Sequence, residues 1–204
     1  MHIGALIFPT DRTMRPDVLA PALEQRGYES FWVAEHTHIP LSRSTPYPGG
    51  GDLPDMYWRT MDPFVALTAA ALSTETLKVG TGICLVNQHH PINAAKQTAS
   101  IDLLSGGRFL FGVGVGWNED EMQHHGTDPS KRRSTARERI LAIKALWTED
   151  AAAFDGEYVQ FSASASDPKP VQSPHPPVIM GGGGGPVTFR HIVEYCDGWM
   201  PIHG

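Results

Sequence analysis

Apolar and polar segments alternate along the chain in a pattern that predicts repeated strand–helix units. The short apolar runs at residues 3–8 and 31–34 are typical of buried strands. Residues 16–26, between these runs, place their apolar side chains on one helical face and end before Gly27, a common helix stop. Because strands and helices follow each other in strict order, we predict βα units and a parallel sheet.

The rest of the chain continues the same order. We predict further strands at residues 77–86, 109–113, 177–180 and 197–201, and further helices at residues 62–72, 91–104, 134–147 and 187–195.

Six strands and five helices in this order fit the first three-quarters of an eight-stranded barrel. The predicted fold class is therefore α/β, an incomplete TIM-type (β/α) barrel whose parallel sheet is surrounded by helices. A closed barrel takes about 250 residues, and this chain has 204. We expect a single domain over residues 1–204. It is either a shortened barrel or a fragment of one, or an open sheet whose edge another chain covers, so a homodimer is a candidate assembly.

One connection is unusually long. Residues 37–60 are rich in proline and glycine, and a loop of this length is usually functional or disordered. We interpret it as a lid or a wall of a substrate pocket, with a plain surface excursion as the alternative. Its Tyr47, Tyr57 and Trp58 either face an organic substrate or anchor the loop.

Composition narrows the class of protein. Lys and Arg total 16 against 22 Asp and Glu, and the formal charge of −6 argues against nucleic-acid or anionic-membrane partners. Cys84 and Cys196 are too few for a disulfide framework, which favours a reducing cytoplasm. No run approaches the roughly 18 apolar residues of a membrane span. We expect a soluble protein with a small-molecule partner, in which any anion site is built locally from backbone amides and a few side chains.

Glu35 and His36 follow the second predicted strand and are candidate catalytic residues. Ligands gather at the carboxyl ends of parallel strands, and histidine can transfer a proton near neutral pH. A histidine packed at a strand end with no catalytic role is the alternative. His36 and His38 also form an HxH pair, which raises a metal-dependent barrel hydrolase as a rival reading.

Three glycine-rich segments are candidate ligand contacts. The run Gly181–Gly185 precedes a predicted helix and offers free amides to a phosphate, with a flexible linker as the alternative. Residues 112–117 miss the GxGxxG fingerprint because position 117 is Trp, and close strand packing would also explain them. The glycines of Gly80-Thr81-Gly82-Ile83, in the third predicted strand, indicate a bulge or the approach of a flat ligand.

Together these segments resemble the bacterial luciferase-like monooxygenase superfamily. They are most similar to its branch of mycobacterial and actinobacterial oxidoreductases that use the deazaflavin coenzyme F420. The matching segments run in family order along the whole chain. They are WVAEH (32–36), TPYPGGG (45–51), DPFVAL (62–67), VGTGICLV (79–86), SGGRFLFGVGVGWNEDE (105–121), LWTED (146–150), FDGEYVQF (154–161) and DGWMP (197–201).

The resemblance implies a barrel that binds coenzyme F420 or FMN at its C-terminal face. It implies that His36 lies beside the reactive ring as a catalytic or proton-handling residue and that Glu35 helps to hold the cofactor. It places a bulge with a non-prolyl cis peptide at Gly82–Ile83, behind the ring. The other implied cofactor contacts are Thr81, Val115, Gly116, Trp117 and Asp120, with Gly181, Gly182, Gly183 and Gly184 around the phosphate.

The resemblance also implies a reaction. The leading expectation is an F420-dependent oxidoreductase that transfers a hydride between the deazaflavin and an organic substrate. The alternatives are an FMN-dependent luciferase-like monooxygenase and, from another class, a non-catalytic cofactor-binding shortened barrel. The third is considered because members of the superfamily continue through two more strands and a C-terminal helix.

Overall fold

Seven strands form one parallel sheet in the computed structural model, which describes residues 2–202. Its path is β1, β2, β3, β5, β8 and β9, with the short β4 also paired to β5. All of these pairings are parallel. The strands are β1 (Gly4–Ile7), β2 (Ser30–Val33), β3 (Lys78–Thr81), β4 (Cys84–Leu85), β5 (Phe109–Gly114), β8 (Val178–Gly182) and β9 (Gly198–Pro201).

Helices connect the strands and cover the outer face of the sheet. The hydrophobic core lies between these two layers, where the rings of Phe31, Phe109 and Phe111 have no solvent exposure. None of the helices within residues 2–202 has both the length and the apolar content needed to cross a bilayer. The helices are α1 (Pro16–Glu24), α2 (Asp55–Trp58), α3 (Pro63–Leu72), α4 (Pro91–Ser105), α5 (Glu119–His124), α6 (Arg132–Thr148) and α7 (Pro186–Tyr195).

The predicted fold class is confirmed: six strand positions form a curled half-barrel with helices outside it. The edge strands β1 and β9 do not pair with each other in the described part of the chain, so the sheet stays open there. The predicted start of α3 is also correct, since Asp62 caps it by accepting a hydrogen bond from the Val65 amide at 2.9 Å.

The third predicted strand is wrong as a continuous element. It is interrupted between β3 and β4, where the Gly82–Ile83 peptide bond is cis, as the family resemblance implies. The strand segments on the two sides of the break have different partners. β3 pairs with β2 and with the start of β5, whereas β4 pairs with the end of β5.

Three elements were missing from the sequence-based prediction. The short helix α2 lies inside the 37–60 loop, and α5 follows β5. An antiparallel hairpin joins β6 (Ala152–Asp155) to β7 (Gln160–Ser164), beside the main sheet. An Asp155-Gly156 turn signal was available for this hairpin.

Several strand glycines are required by packing on the concave face of the sheet. A Cβ on Gly80 would lie 2.6 Å from the Trp32 ring, and one on Gly114 would lie 2.0 Å from Ile83 Cδ1. A Cβ on Gly112 would lie 1.9 Å from the Thr81 backbone oxygen. The close-packing alternative for the fourth-strand glycines is therefore the correct one at Gly112 and Gly114.

We predict that Gly112→Ala destabilises the fold by about 1–3 kcal/mol or more, because the new methyl group meets fixed backbone. The measurement is the urea midpoint of unfolding. Gly185→Ala is the matched control, since its φ of 170 is extended and a Cβ there meets nothing within 4 Å. We expect the control to stay within about 0.5 kcal/mol of the parent chain. Equal midpoints for the two variants would contradict the packing role of Gly112.

Candidate active site

A buried histidine–carboxylate pair lies at the carboxyl end of β2. Glu121 has no solvent exposure, and its Oε2 lies 2.7 Å from Nδ1 of His36, which is 7% exposed. Its Oε1 accepts a hydrogen bond from the Thr37 amide at 3.1 Å. The two partners are 85 residues apart in sequence, so α5 delivers the carboxylate to the end of β2.

This pairing sets the tautomer of His36. An ionised carboxylate only accepts hydrogen bonds, so Nδ1 carries the proton that it donates to Glu121. Nε2 then remains to accept or donate a proton on the other side of the ring. A histidine oriented by a buried carboxylate is a common arrangement for proton transfer.

A second buried pair lies beneath the first. Glu35 Oε1 is 2.6 Å from His89 Nε2, and Glu35 Oε2 accepts from the Leu85 amide at 2.5 Å. Burial alone would lower the pKa of His89, but the hydrogen bond and charge of Glu35, together with the charge of Asp62, raise it. Glu35 therefore ties the end of β2 to β4, next to the cis peptide.

His36 and Glu35, one residue from each pair, border a cavity of about 290 Å³ at the carboxyl end of the sheet. The cis peptide residues Gly82 and Ile83 form part of its wall, and the ring of Trp117 forms another part. The centroids of the His36 and Trp117 rings are 5.7 Å apart, and the ring planes meet at 63° in an edge-to-face contact. Other wall residues are Phe8, Ala34, Tyr57, Leu85, Val115, Gly116, Gly181, Gly182 and Ile202.

A second cavity of about 400 Å³ surrounds the glycine run. It shares Val115, Gly181 and Gly182 with the first cavity, so the two are adjacent and have a common wall. A Cβ on Gly182, Gly183 or Gly185 would meet nothing within 4 Å. Unlike Gly112, these three glycines therefore border open space.

The second cavity also has the polar groups that suit an anion. The run leads into the N-terminus of the ten-residue helix α7, whose first amides have no partner within the helix. Arg133, Thr188 and His191 complete the wall. Burial and the nearby charge of Arg133 lower the pKa of His191.

Most of the predicted site residues meet in these two cavities. His36, Gly82, Ile83, Val115, Gly116 and Trp117 lie around the first, and Gly181, Gly182, Gly183 and Gly184 lie around the second. Glu35 borders the first cavity, but both of its oxygens are bonded to the protein. Its geometry fits a positioning residue rather than a direct hydrogen-bond partner of a cofactor.

Two predicted contacts lie elsewhere. Thr81 is fully buried, and its hydroxyl donates to the Gly112 carbonyl at 2.6 Å, within the sheet. Asp120 accepts hydrogen bonds from Ser42 Oγ at 2.8 Å and from the Ser44 amide at 3.0 Å, so it holds the long loop. We correct the expectation for both: neither borders the two cavities.

The HxH pair does not form one site. His36 Nδ1 is bonded to Glu121, while His38 Nε2 lies 2.8 Å from Nδ1 of His124. Within residues 2–202, one set of three potential metal ligands converges: Glu35, Cys84 and His89. The Glu35–His89 hydrogen bond already occupies ligand atoms of this set, and burial next to Glu35 raises the pKa of the Cys84 thiol well above its ordinary value.

Sequence reasoning missed Glu121 and His89. Both partner residues are distant in sequence from the residues that they hold, and no local pattern marks them. One feature could have pointed to Glu121. It is the last residue of the family-like segment 105–121, which contains β5 and the turn that follows it.

The fold is a parallel half-barrel with two histidine–carboxylate pairs and two adjacent cavities at the carboxyl end of its strands. The luciferase-like monooxygenase family model matches residues 17–203, and the chain belongs to that family. An uncharacterized protein of Mycobacterium tuberculosis (strain ATCC 25618 / H37Rv) is 45% identical over 203 residues, covering 98% of this chain and 72% of that protein.

Relatives with named activities use two different cofactors. The F420-dependent hydroxymycolic acid dehydrogenase of Mycobacterium tuberculosis (strain ATCC 25618 / H37Rv) is 28% identical, covering 95% of this chain and 49% of that protein. The FMNH(2)-dependent dimethylsulfone monooxygenase of Pseudomonas putida is 38% identical, covering 67% of this chain and 38% of that protein.

A solved structure shares the fold. An F420-dependent secondary alcohol dehydrogenase in complex with an F420-acetone adduct superposes with a TM-score of 0.79 at 22% identity, covering 100% of this chain and 58% of that chain. The chain therefore spans about half the length of these named enzymes.

We predict that His89 makes folding pH-dependent through Glu35. Because its folded pKa is raised above the ordinary value of about 6.5, its proton stabilises the native state fully below that pH. This contribution is lost as the pH rises through the folded pKa. The free energy of unfolding should therefore differ more between the parent chain and His89→Gln at pH 6 than at pH 9.

A second substitution supplies the control. In a Glu35→Gln background the charge of Glu35 is gone and only that of Asp62 still raises the His89 pKa, so adding His89→Gln should change the pH dependence much less. Urea unfolding of the four chains at both pH values measures this. If the free energy of unfolding of the parent chain exceeds that of His89→Gln by more at pH 9 than at pH 6, the assigned Glu35–His89 interaction is contradicted.

Proposed function

We propose that the two adjacent cavities together bind coenzyme F420, and that the protein is an oxidoreductase transferring a hydride between the deazaflavin and an organic substrate. The observation that carries this proposal is the shared wall of the cavities. His36 borders one end, the glycine run borders the other, and Val115, Gly181 and Gly182 border both. A cofactor with a planar ring and a phosphate-bearing tail fits this arrangement. Its ring would lie in the cavity with aromatic walls, and its phosphate in the cavity around the glycine run.

The residues at the anion end fit a phosphate. Gly182, Gly183 and Gly185 leave open space where side chains would intrude, and the α7 N-terminus presents amides and the positive end of its dipole. Arg133 adds a cation to a chain whose formal charge is −6. Any attraction for a phosphate therefore comes from Arg133 and the α7 N-terminus, and not from the net charge of the chain.

The residues at the ring end fit a flat heterocycle. Gly82 and Ile83 back the cavity, and Trp117 and Tyr57 border it with aromatic faces. When bound, a deazaflavin supplies or accepts a hydride. His36 faces the same space and can hold or release a proton at Nε2, while Glu121 keeps its ring in one orientation.

A second candidate is an FMN-dependent luciferase-like monooxygenase. The FMNH(2)-dependent relative favours it, because it is 38% identical to this chain over 139 residues. Both candidates need a phosphate cradle and a ring cavity, so a direct comparison of the two cofactors must separate them.

The deciding experiment loads the purified apoprotein with each cofactor and records absorbance after gel filtration. We expect coenzyme F420 to co-elute with the protein. Retention of FMN with no retention of F420 would replace the first candidate by the second. Retention of neither would refute both.

We predict that Gly183→Asp weakens retention of the phosphate-bearing cofactor about tenfold or more, since it adds a negative charge beside the phosphate. Gly126→Asp is the matched control: it makes the same change at an exposed glycine outside both cavities, where a Cβ also meets nothing. The measurement is the dissociation constant by absorbance titration. Equal losses in the two variants would argue against the glycine run as the phosphate site.

We also predict that His36→Ala lowers turnover by about 10²–10⁴-fold, the usual contribution of a general acid or base. The cofactor dissociation constant should change little. His2→Ala, at a side chain that is 82% exposed, is the control. Unchanged turnover in His36→Ala would favour the alternative of a histidine without a catalytic role.

A further inference from the structure

One arginine in the long loop lies next to the ring cavity without a carboxylate partner. The guanidinium of Arg43 is 5.9 Å from the centroid of the Trp58 ring and 6.0 Å from that of Trp117. Within residues 2–202 it takes part in no salt bridge. Nearby arginines differ: Arg12 pairs with Asp55 at 2.8 Å, and Arg59 pairs with Asp11 at 3.0 Å.

The backbone around Arg43 is held on both sides by a single carboxylate. Asp120, on α5, accepts from Ser42 Oγ and from the Ser44 amide. These bonds lower the pKa of Asp120, with the Ser42 hydroxyl as the main cause. The Glu119 amide also donates to Thr45 Oγ1 at 3.1 Å, so residues 42–45 are fixed to the helix that carries Glu121.

Arg43 itself has an unusual conformation. Its φ of 48 makes it the one non-glycine residue in the left-handed region among the described residues. A long side chain rarely adopts this region, and it persists where the surroundings impose it. Here the Asp120 hydrogen bonds hold the residues on both sides of Arg43, and its guanidinium lies over the two indole rings.

Trp117 connects this cation to the cavity. Its ring packs against His36 at 5.7 Å and against Tyr57 at 6.3 Å, and all three border the cavity. A molecule that contacts the cavity side of Trp117 is therefore separated from the Arg43 guanidinium only by the Trp117 ring. The phosphate cradle lies around a separate set of residues, and neither Trp117 nor Arg43 borders it.

We propose that Arg43 recognises the carboxylate of an organic acid substrate whose apolar part lies on the Trp117–Tyr57 wall. This inference rests on the proposed function, which assigns the cavity to a cofactor ring and its substrate. Arginine suits the task because its planar fork can form two parallel hydrogen bonds with a carboxylate. Stacking on indole rings leaves those donors available at the ring edge. Asp120 is a positioning residue for Arg43.

The test uses pairs of acids and their neutral amides: benzoate with benzamide, and 2-naphthoate with 2-naphthamide. Each is titrated into the cofactor-loaded protein and also into the protein alone, with tryptophan fluorescence and calorimetry as readouts. A charge-assisted hydrogen bond contributes about 1.5–3 kcal/mol, so at least one acid should bind about tenfold or more tightly than its amide.

Variants assign the discrimination to Arg43. Arg43→Gln should abolish the preference for the acid while leaving amide binding and cofactor retention unchanged. Asp120→Asn should reduce the same preference, because it loosens the loop. Arg26→Gln is the control, since its guanidinium donates to the Ala22 carbonyl on the surface of α1.

Each remaining outcome overturns the inference. The inference fails if neither acid is preferred over its amide, or if Arg43→Gln keeps the preference. Weaker cofactor retention in Arg43→Gln would assign the guanidinium to the cofactor instead. A failure of the proposed function is distinguishable, because it appears in the cofactor retention of the parent chain, whereas the acid–amide comparison is also made on the protein alone.

Discussion

The site depends on one buried charge. Glu121 has no exposure to solvent, and a carboxylate removed from water is costly unless its oxygens are hydrogen-bonded. Both oxygens are bonded, one to the His36 ring and one to the Thr37 amide. Satisfying this one group therefore orients His36, fixes the start of the long loop and docks α5 against the end of β2. Asp120, the next residue back along α5, extends the same anchorage to residues 42–44.

A second constraint operates on the concave face of the sheet. Gly80 and Gly112 leave room for the Trp32 ring and for a neighbouring strand, and Gly114 and Gly181 leave room for Ile83. These glycines keep the strand ends close together beneath the cavities. In the run that follows, Gly182, Gly183 and Gly185 face open space instead. A single residue type thus serves close packing inside the sheet and ligand access at its rim.

Sequence patterns predicted what is local or repetitive. Apolar runs and helix caps predicted the strand–helix order, and the glycine run before α7 marked the position of the second cavity. The glycines within residues 77–86 indicated a bulge in the third strand, but the cis peptide at Gly82–Ile83 followed only from family resemblance. The roles of Glu121 and His89 could not be predicted from the sequence, because their partners His36 and Glu35 are distant along the chain and meet them only in the folded structure. Asp120 was misassigned for the same reason: its position after β5 suggested a ligand, whereas its bonds run to the long loop.

The central claim is that one flat ring lies between His36 and the cis peptide, with its phosphate on the glycine run. A crystal structure of the protein soaked with coenzyme F420 tests it most directly. The account predicts the deazaflavin ring against Gly82, Ile83 and His36, with the phosphate bonded to amides between Gly182 and Thr188. A ring bound at another face of the sheet, or a phosphate held away from the α7 N-terminus, would contradict it.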